Sequence, residues 1–365
     1  FLSLLFVIIF KTLKINQIID KKKIKVVIVG SRVERTGKIA QRLAIKKNLI
    51  SVNIYWFLTL FYKNYSSCLT SFRKMYQDEI EKKILPDDWL SQFEQFSVSK
   101  YLGISEHRDF VTAYKNKKIV SQNEIFEKLE IDRSKFDKIV LIAPHAFSDD
   151  PHECLQSIFV DYYQQFIETM DYIKKNSSKM SKILWIINPH PTSNEYGEEG
   201  LVEKIVQKYN FKNFKIFPSN LNTFSLLGIV DTIITVRGTI ALEFAACFGK
   251  RPIIAGDASF SDFDFVYAPK SRKEYFDAIS NLDKIKPLNK NDEILVKKTF
   301  FYYVCIQLES YGSSSIMPSN RLLKSEDFVN NMILNLQKHK YRSDAYYIYL
   351  KEKIIQNYDE KFKNL

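Results

Sequence analysis

Cysteine is scarce in this chain. Four occur in 365 residues, Cys68, Cys154, Cys247 and Cys305. No two of them form a C-x-x-C pair, which argues against a zinc knuckle and a dithiol redox motif, and the scatter suits a reducing compartment better than a disulfide framework. Long apolar runs are missing as well. The opening stretch FLSLLFVIIF is apolar for ten residues and then meets Lys11. That is too short to span a bilayer, and no basic region precedes it as in a signal peptide. The expected place for it is a buried strand or helix, with the tail of a membrane anchor as the alternative. There is no initiating Met, so the chain is expected to be a fragment whose start lies upstream. Glycine numbers only 10. The run KIKVVIVG (Lys23–Gly30) ends in a single glycine and Gly37 follows, so the G-x-G-x-x-G dinucleotide fingerprint is absent. No internal repeat and no low-complexity linker interrupts the sequence.

What is present is ordinary globular composition, 45% hydrophobic and 26% charged, over a length that exceeds one ordinary core and implies two domains. The formal net charge is +12. A basic surface suits anionic partners such as nucleotides, phosphates, acidic glycans or a lipid leaflet. The basic residues are dispersed and no RNA- or DNA-binding motif accompanies them, so nucleic acid is not an expected partner.

Along the chain, KIKVVIVG, TGKIAQRLAIKKN and SVNIYWF read as a βαβ start. Residues 70–135 read as mostly helical, with LPDDW as a helix start. From residue 137 strands and helices alternate strictly. DKIVLIAPH, KILWIINPHP, NFKIFPSN, DTIITVRGT and RPIIAG read as strands. Between them, ECLQSIFVDYYQQFIETMDYIKKN (Glu153–Asn176), GLVEKIVQKY, NTFSLLGIV and the segment after Arg237 read as helices. Apolar strands alternating with helices imply a parallel sheet covered on both faces, and ligands of such sheets sit beyond the carboxyl ends of the strands.

Those ends carry three of the five histidines, His145, His152 and His190, set among Pro144, Pro151, Pro189 and Pro191. Proline restricts the backbone around them, and a histidine held at the edge can contact phosphate or move a proton. The duller alternative for each is a surface histidine. His145-x6-His152 with Asp149 or Asp150 matches no standard zinc spacing, so no metal is expected. Arg237, Gly238 and Thr239 stand at a strand-to-helix turn. Gly238 allows close approach to the backbone, Thr239 can cap the helix, and the helix start with Arg237 offers N–H groups and charge to a phosphate. Glu243 falls one turn further on the same face and could take ribose hydroxyls; the alternative is an ordinary β-α-β with a solvated glutamate. Asn220 and Thr223, after KIFPSN, are candidates for contact with a base.

The ordered set APHAFSDDPH, NPHP, VRGTIALEFAACFGKRPIIAGDASFSDFDF and KSRKEYFDAI resembles the bacterial surface-carbohydrate and capsule polysaccharide biosynthesis family of GT-B type, over about residues 120–285. The resemblance implies an α/β, GT-B-like fold: two Rossmann-like doubly wound domains facing a cleft, with C-terminal helices. Residues 1–136 would form the acceptor-side domain and 137–285 the nucleotide-sugar domain. Residues 286–365 would form a helical segment crossing back. It implies a glycosyltransferase that moves a sugar from a nucleotide-sugar, such as CMP-Kdo or a UDP-sugar, to a capsule, O-antigen or lipid-linked glycan. The alternatives are a 2-epimerase, a polyol-phosphate transferase or a non-catalytic assembly partner. Donor contacts would come from His190, Arg237, Gly238, Thr239, Glu243, Asn220 and Thr223. The catalytic base would be among His145, Asp149 and Asp150, with Glu34 and Asp109 as weaker N-terminal options. No metal or cofactor is implied. The expected place is the cytoplasm, at the inner face of the plasma membrane, with peripheral membrane association.

Overall fold

The computed structural model describes residues 2–29, 35–55, 58–62, 80, 85–104, 112–149, 158–256, 258, 260–301 and 325–362. The chain divides into two compact units. One takes Phe1–Met75 with Ile306–Leu365, the other Tyr76–Cys305. The division thus falls at 75/76 and 305/306, where the sequence reading has 136/137 and 285/286. The physical reason for the earlier boundary is apolar. Tyr101, Tyr114, Val120, Ile125 and Phe126 pack in one cluster with Ile139 and Leu141 of the sheet that follows.

The larger unit is built on five parallel strands: β4 (Lys138–Ala143), β5 (Ile183–Ile187), β6 (Phe214–Ile216), β7 (Thr232–Thr235) and β8 (Ile253–Ile254). They lie in the order β6-β5-β4-β7-β8. The strands read as unbroken apolar runs because both faces are covered. Val140, Ile142, Trp185, Ile187 and Ile234 face one cluster, together with Phe166, Met170, Ile205 and Tyr275. Their neighbours Ile139, Leu141, Leu184, Ile186 and Ile233 face the other, together with Ile125, Leu226, Leu227 and Phe244. The first cluster uses helices α5 (Tyr162–Lys175), α6 (Leu201–Tyr209) and α9 (Arg272–Ser280). The second uses α4 (Gln122–Lys128), α7 (Phe224–Leu227) and α8 (Thr239–Phe248).

Two helices of this unit complete it, α3 (Trp89–Tyr101) and α10 (Lys290–Phe300). Phe93 of α3 meets Phe300 edge to face at 5.5 Å. Helix α5 begins later than the sequence suggests. Asp161 accepts a hydrogen bond from the Gln164 N–H and starts the helix at Tyr162, since an N-cap carboxylate satisfies a donor that the first turn leaves open. Residues 158–161 are bends, and 153–157 lie outside the described residues. Gly256, just after β8, is required by close approach: a Cβ there would stand 2.7 Å from Val236 Cγ1 and 3.2 Å from the Val236 carbonyl oxygen.

The smaller unit holds a three-stranded sheet, β1 (Val26–Val29), β2 (Ile50–Tyr55) and β3 (Leu58–Tyr62). β1 and β2 are parallel and β2 and β3 antiparallel. α1 (Leu2–Lys21) precedes the sheet, α2 (Arg35–Lys46) links β1 to β2, and α11 (Ser325–Lys338) and α12 (Ala345–Phe362) close the chain. The fold class is α/β: a doubly wound Rossmann-like unit, a second α/β unit with a parallel βαβ start, and C-terminal helices. The opening run is helical, but it is not buried. Every side chain from Leu5 to Phe10 is exposed. No helix among the described residues is long and apolar enough to cross a membrane.

Candidate functional site at the strand edge

The strand order makes one place special. From β4 the chain moves outward through α5 and α6 on one face of the sheet. It then returns to β7 and continues through α8 on the other face. The segments leaving β4 and β7 therefore diverge at their carboxyl ends, the place where open α/β sheets bind ligands. The sequence candidates can be placed around it.

His145 follows β4 and His190 follows β5. Their rings stack 5.2 Å apart at 14°, and Tyr162 at the start of α5 lies 4.6 Å from the His145 ring. The two histidines come together because β4 and β5 are parallel neighbours, with Ile142 beside Ile187. Asp149 Oδ2 stands 3.8 Å from His145 Nδ1. His190 Nδ1 accepts from the Thr192 N–H at 3.4 Å and lies 2.9 Å from the Thr192 hydroxyl.

Arg237 and Gly238 are half-buried and Thr239 is exposed. The cap of α8 is Gly238 rather than Thr239: Gly238 has extended backbone, and Thr239 is the first helical residue. Glycine suits that cap because a Cβ there would meet Thr235 Oγ1 at 3.1 Å. Asn220 is exposed, and its carbonyl accepts from the Lys118 N–H at 3.3 Å. Thr223 is buried and its hydroxyl accepts from Asn188 at 3.2 Å, tying the segment after β6 to the one after β5. Asp150, His152, Glu34 and Asp109 lie outside the described residues, as do Cys68, Cys154 and Cys305. Among the described residues no group of three His, Cys, Asp or Glu side chains gathers as a metal site.

Glu243 departs from its expected setting. It is buried, with Oε1 2.6 Å from Lys100 Nζ and Oε2 accepting from the Tyr114 hydroxyl at 2.9 Å. Lys100, only 1% exposed, also lies over the rings of Tyr101, Tyr114 and Phe300 at 5.6, 5.5 and 5.3 Å. A desolvated ammonium gains from such ring faces and needs its carboxylate. Burial, then the Glu243 charge, pushes the Tyr101 and Tyr114 phenols well above their ordinary value. Burial likewise raises the thiol of Cys247, whose sulfur lies 3.4 Å from the Tyr101 hydroxyl. Both Glu243 oxygens are engaged here, so this arrangement offers no free carboxylate to a ribose.

One residue that sequence spacing does not reveal is Glu198. Its buried carboxylate accepts from the Phe147 and Ser148 N–H groups, each at 2.7 Å, and from the Ser148 hydroxyl. It thereby fixes the segment that carries His145 and Asp149. Replacing it with Ala leaves two backbone donors without their acceptor and should cost about 1–3 kcal/mol, with Gln recovering part. Urea unfolding of the two variants checks this. A loss below a few tenths of a kcal/mol for Glu198→Ala would show that the segment holds itself.

No family model matches the sequence, and no curated protein does. Several solved structures align along it. The Thermosulfurimonas dismutans KpsC β-Kdo 2,4 transferase is 12% identical over 75% of this chain and 79% of its own, with a TM-score of 0.44. The S. aureus MnaA–UDP structure is 10% identical over 84% and 80%, with a TM-score of 0.33. The Methanocaldococcus jannaschii UDP-GlcNAc 2-epimerase, in complex with UDP-GlcNAc and UDP, is 14% identical over 81% and 79%, with a TM-score of 0.36.

Proposed function

We propose that the strand edge between β4 and β7 binds the phosphate of a nucleotide-sugar, and that the protein is a glycosyltransferase of surface-glycan assembly. The observation that carries this reading is the meeting of two kinds of group at one sheet edge. The stacked His145–His190 pair with Asp149 follows β4 and β5. Arg237 and the glycine-capped start of α8 follow β7.

Each group has a role in that chemistry. The helix start supplies N–H donors and partial positive charge, and Arg237 supplies a full charge in a planar fork. Both favour the nucleotide phosphate most when it departs with the electron pair of the broken C–O bond. His145, with Asp149 3.8 Å from its Nδ1, takes the proton of the acceptor hydroxyl as that oxygen bonds to the sugar carbon. His190 contacts the phosphate or base of the donor. Asn220, exposed after β6, is the candidate for contact with the base. Glu243 supports α8 from beneath through Lys100 rather than holding the ribose. The donor is a CMP-linked acidic sugar or a UDP-sugar, and the acceptor a capsule or O-antigen glycan.

Thermal unfolding with CMP, CDP, UDP, GDP and dTDP in parallel tests the reading. A nucleotide at a hundred times its dissociation constant adds about 2.7 kcal/mol, a rise of several degrees. No shift with any of them would remove the donor site. A 2-epimerase would use the same phosphate contacts, and His145 with Asp149 would then serve a carbon-bound proton. Incubation of the donor without acceptor separates the two, because only the epimerase changes the sugar.

A further inference from the structure

The first half of α1 has a surface that water does not suit. All six side chains from Leu5 to Phe10 are exposed, Phe6 at 69% and Phe10 at 57%, and Leu13 follows at 65%. Six consecutive residues at 100° each pass around the whole helix circumference. A helix that docks into a protein groove presents one apolar stripe at i, i+3, i+4 and i+7. An apolar surface on every side matches an environment that is apolar on every side.

The second half of the same helix is different. Ile15 and Ile19 pack with Leu43, Ala44 and Leu49 of the smaller unit, so the helix is seated there while its first turns are not covered. Charge changes at the same point. Lys11, Lys14, Lys21, Lys22, Lys23 and Lys25 follow the apolar turns, and Asp20 is the one carboxylate among them. Asp20 is itself paired with Lys47 at 2.7 Å. Lys14, Lys21, Lys22, Lys23 and Lys25 are exposed.

We propose that α1 buries its Leu5–Phe10 turns in the hydrocarbon of an anionic lipid bilayer, with Lys11 and Lys14 at the headgroups. Six residues rise about 9 Å along the helix axis, a part of the ~30 Å hydrocarbon core. A collar of lysine next to an apolar segment is the arrangement an anionic headgroup layer attracts, each lysine near the surface contributing roughly fivefold in partitioning.

The test is flotation of the whole chain with phosphatidylcholine vesicles that contain or lack phosphatidylglycerol. The wild type should float with the anionic vesicles and more weakly with the neutral ones. Phe6→Glu with Phe10→Glu should reduce partitioning about a hundredfold, the effect of withdrawing two phenyl groups from hydrocarbon, while the thermal midpoint stays put because both positions are exposed. Gln at Lys11 and Lys14 should lower anionic binding alone. This second variant keeps the test open should the first fail to fold. A wild type that floats with neither vesicle, or a double variant that floats like the wild type, overturns the proposal. A wild-type dimer that Phe6→Glu with Phe10→Glu converts to monomer overturns it too, since a second copy would then cover the helix.

Discussion

Replacing Lys100 with Met should destabilise the protein by about 3–5 kcal/mol, because it leaves Glu243 buried with its charge unpaired. In a unit of this size that is a fall of roughly 10 °C in melting temperature. The magnitude follows from the setting: the two side chains are 1% and 5% exposed and 2.6 Å apart, so water cannot take over from either partner. Lys100→Met combined with Glu243→Leu should recover most of the loss, since well-packed apolar side chains often replace a buried pair at little net cost. Urea unfolding of the two single variants and the double gives the coupling energy directly. A Lys100→Met variant within 1 kcal/mol of the wild type would show that Glu243 does not depend on Lys100. Glu243 would then be free to turn toward a ligand, and its assignment to a ribose would return.

Arg237→Ala should weaken nucleotide binding 10- to 100-fold, the range of a charged hydrogen bond to phosphate of about 1.5–3 kcal/mol. Arg237→Lys should recover part of it, because lysine keeps the charge but not the planar fork. Neither change should move the melting temperature without nucleotide, as Arg237 is only half-buried at the edge of the sheet. Titration calorimetry with the nucleotide that gives the largest thermal shift measures the loss. An unchanged affinity for Arg237→Ala would shift the phosphate away from α8 and leave the His145–His190 pair as the remaining anchor.

The two experiments address opposite sides of one helix. On its buried side α8 holds Glu243 against α3 and Tyr114. At its start it offers backbone N–H groups and Arg237. Its small residues Ala241, Ala245 and Ala246 are all buried, which lets it lie close to the sheet. The row of small residues is therefore a packing feature.

Much of the larger unit was legible from residue types. In β4, Ile139 and Leu141 face one core while Val140 and Ile142 face the other. A strand buried on both sides needs apolar residues throughout, so the run stands out from polar surroundings. Parallel direction then places the segments after Ala143, Ile187 and Thr235 at one edge, and with them His145, His190 and Arg237. Less legible were places where a local signal competed with a distant one. Asp161, hidden in an amphipathic run, starts α5 well after its apparent beginning. The apolar opening reads as buried, yet its described side chains, Leu5 to Phe10, are exposed, and Ile15 and Ile19 further along α1 are the ones that join the small core. Apolar character shows that a segment prefers to leave water and does not name what takes the place of water.

Periodicity along the chain was enough to establish an α/β protein with a parallel sheet and a histidine- and arginine-bearing edge, because period and polarity are properties of neighbouring residues. The partner of Glu243, the hold of Glu198 on the segment after β4, and the cap at Gly238 came from the fold alone. Each depends on which side chains meet after the chain has crossed the sheet several times, and a buried carboxylate goes to whichever donors packing brings within about 3 Å.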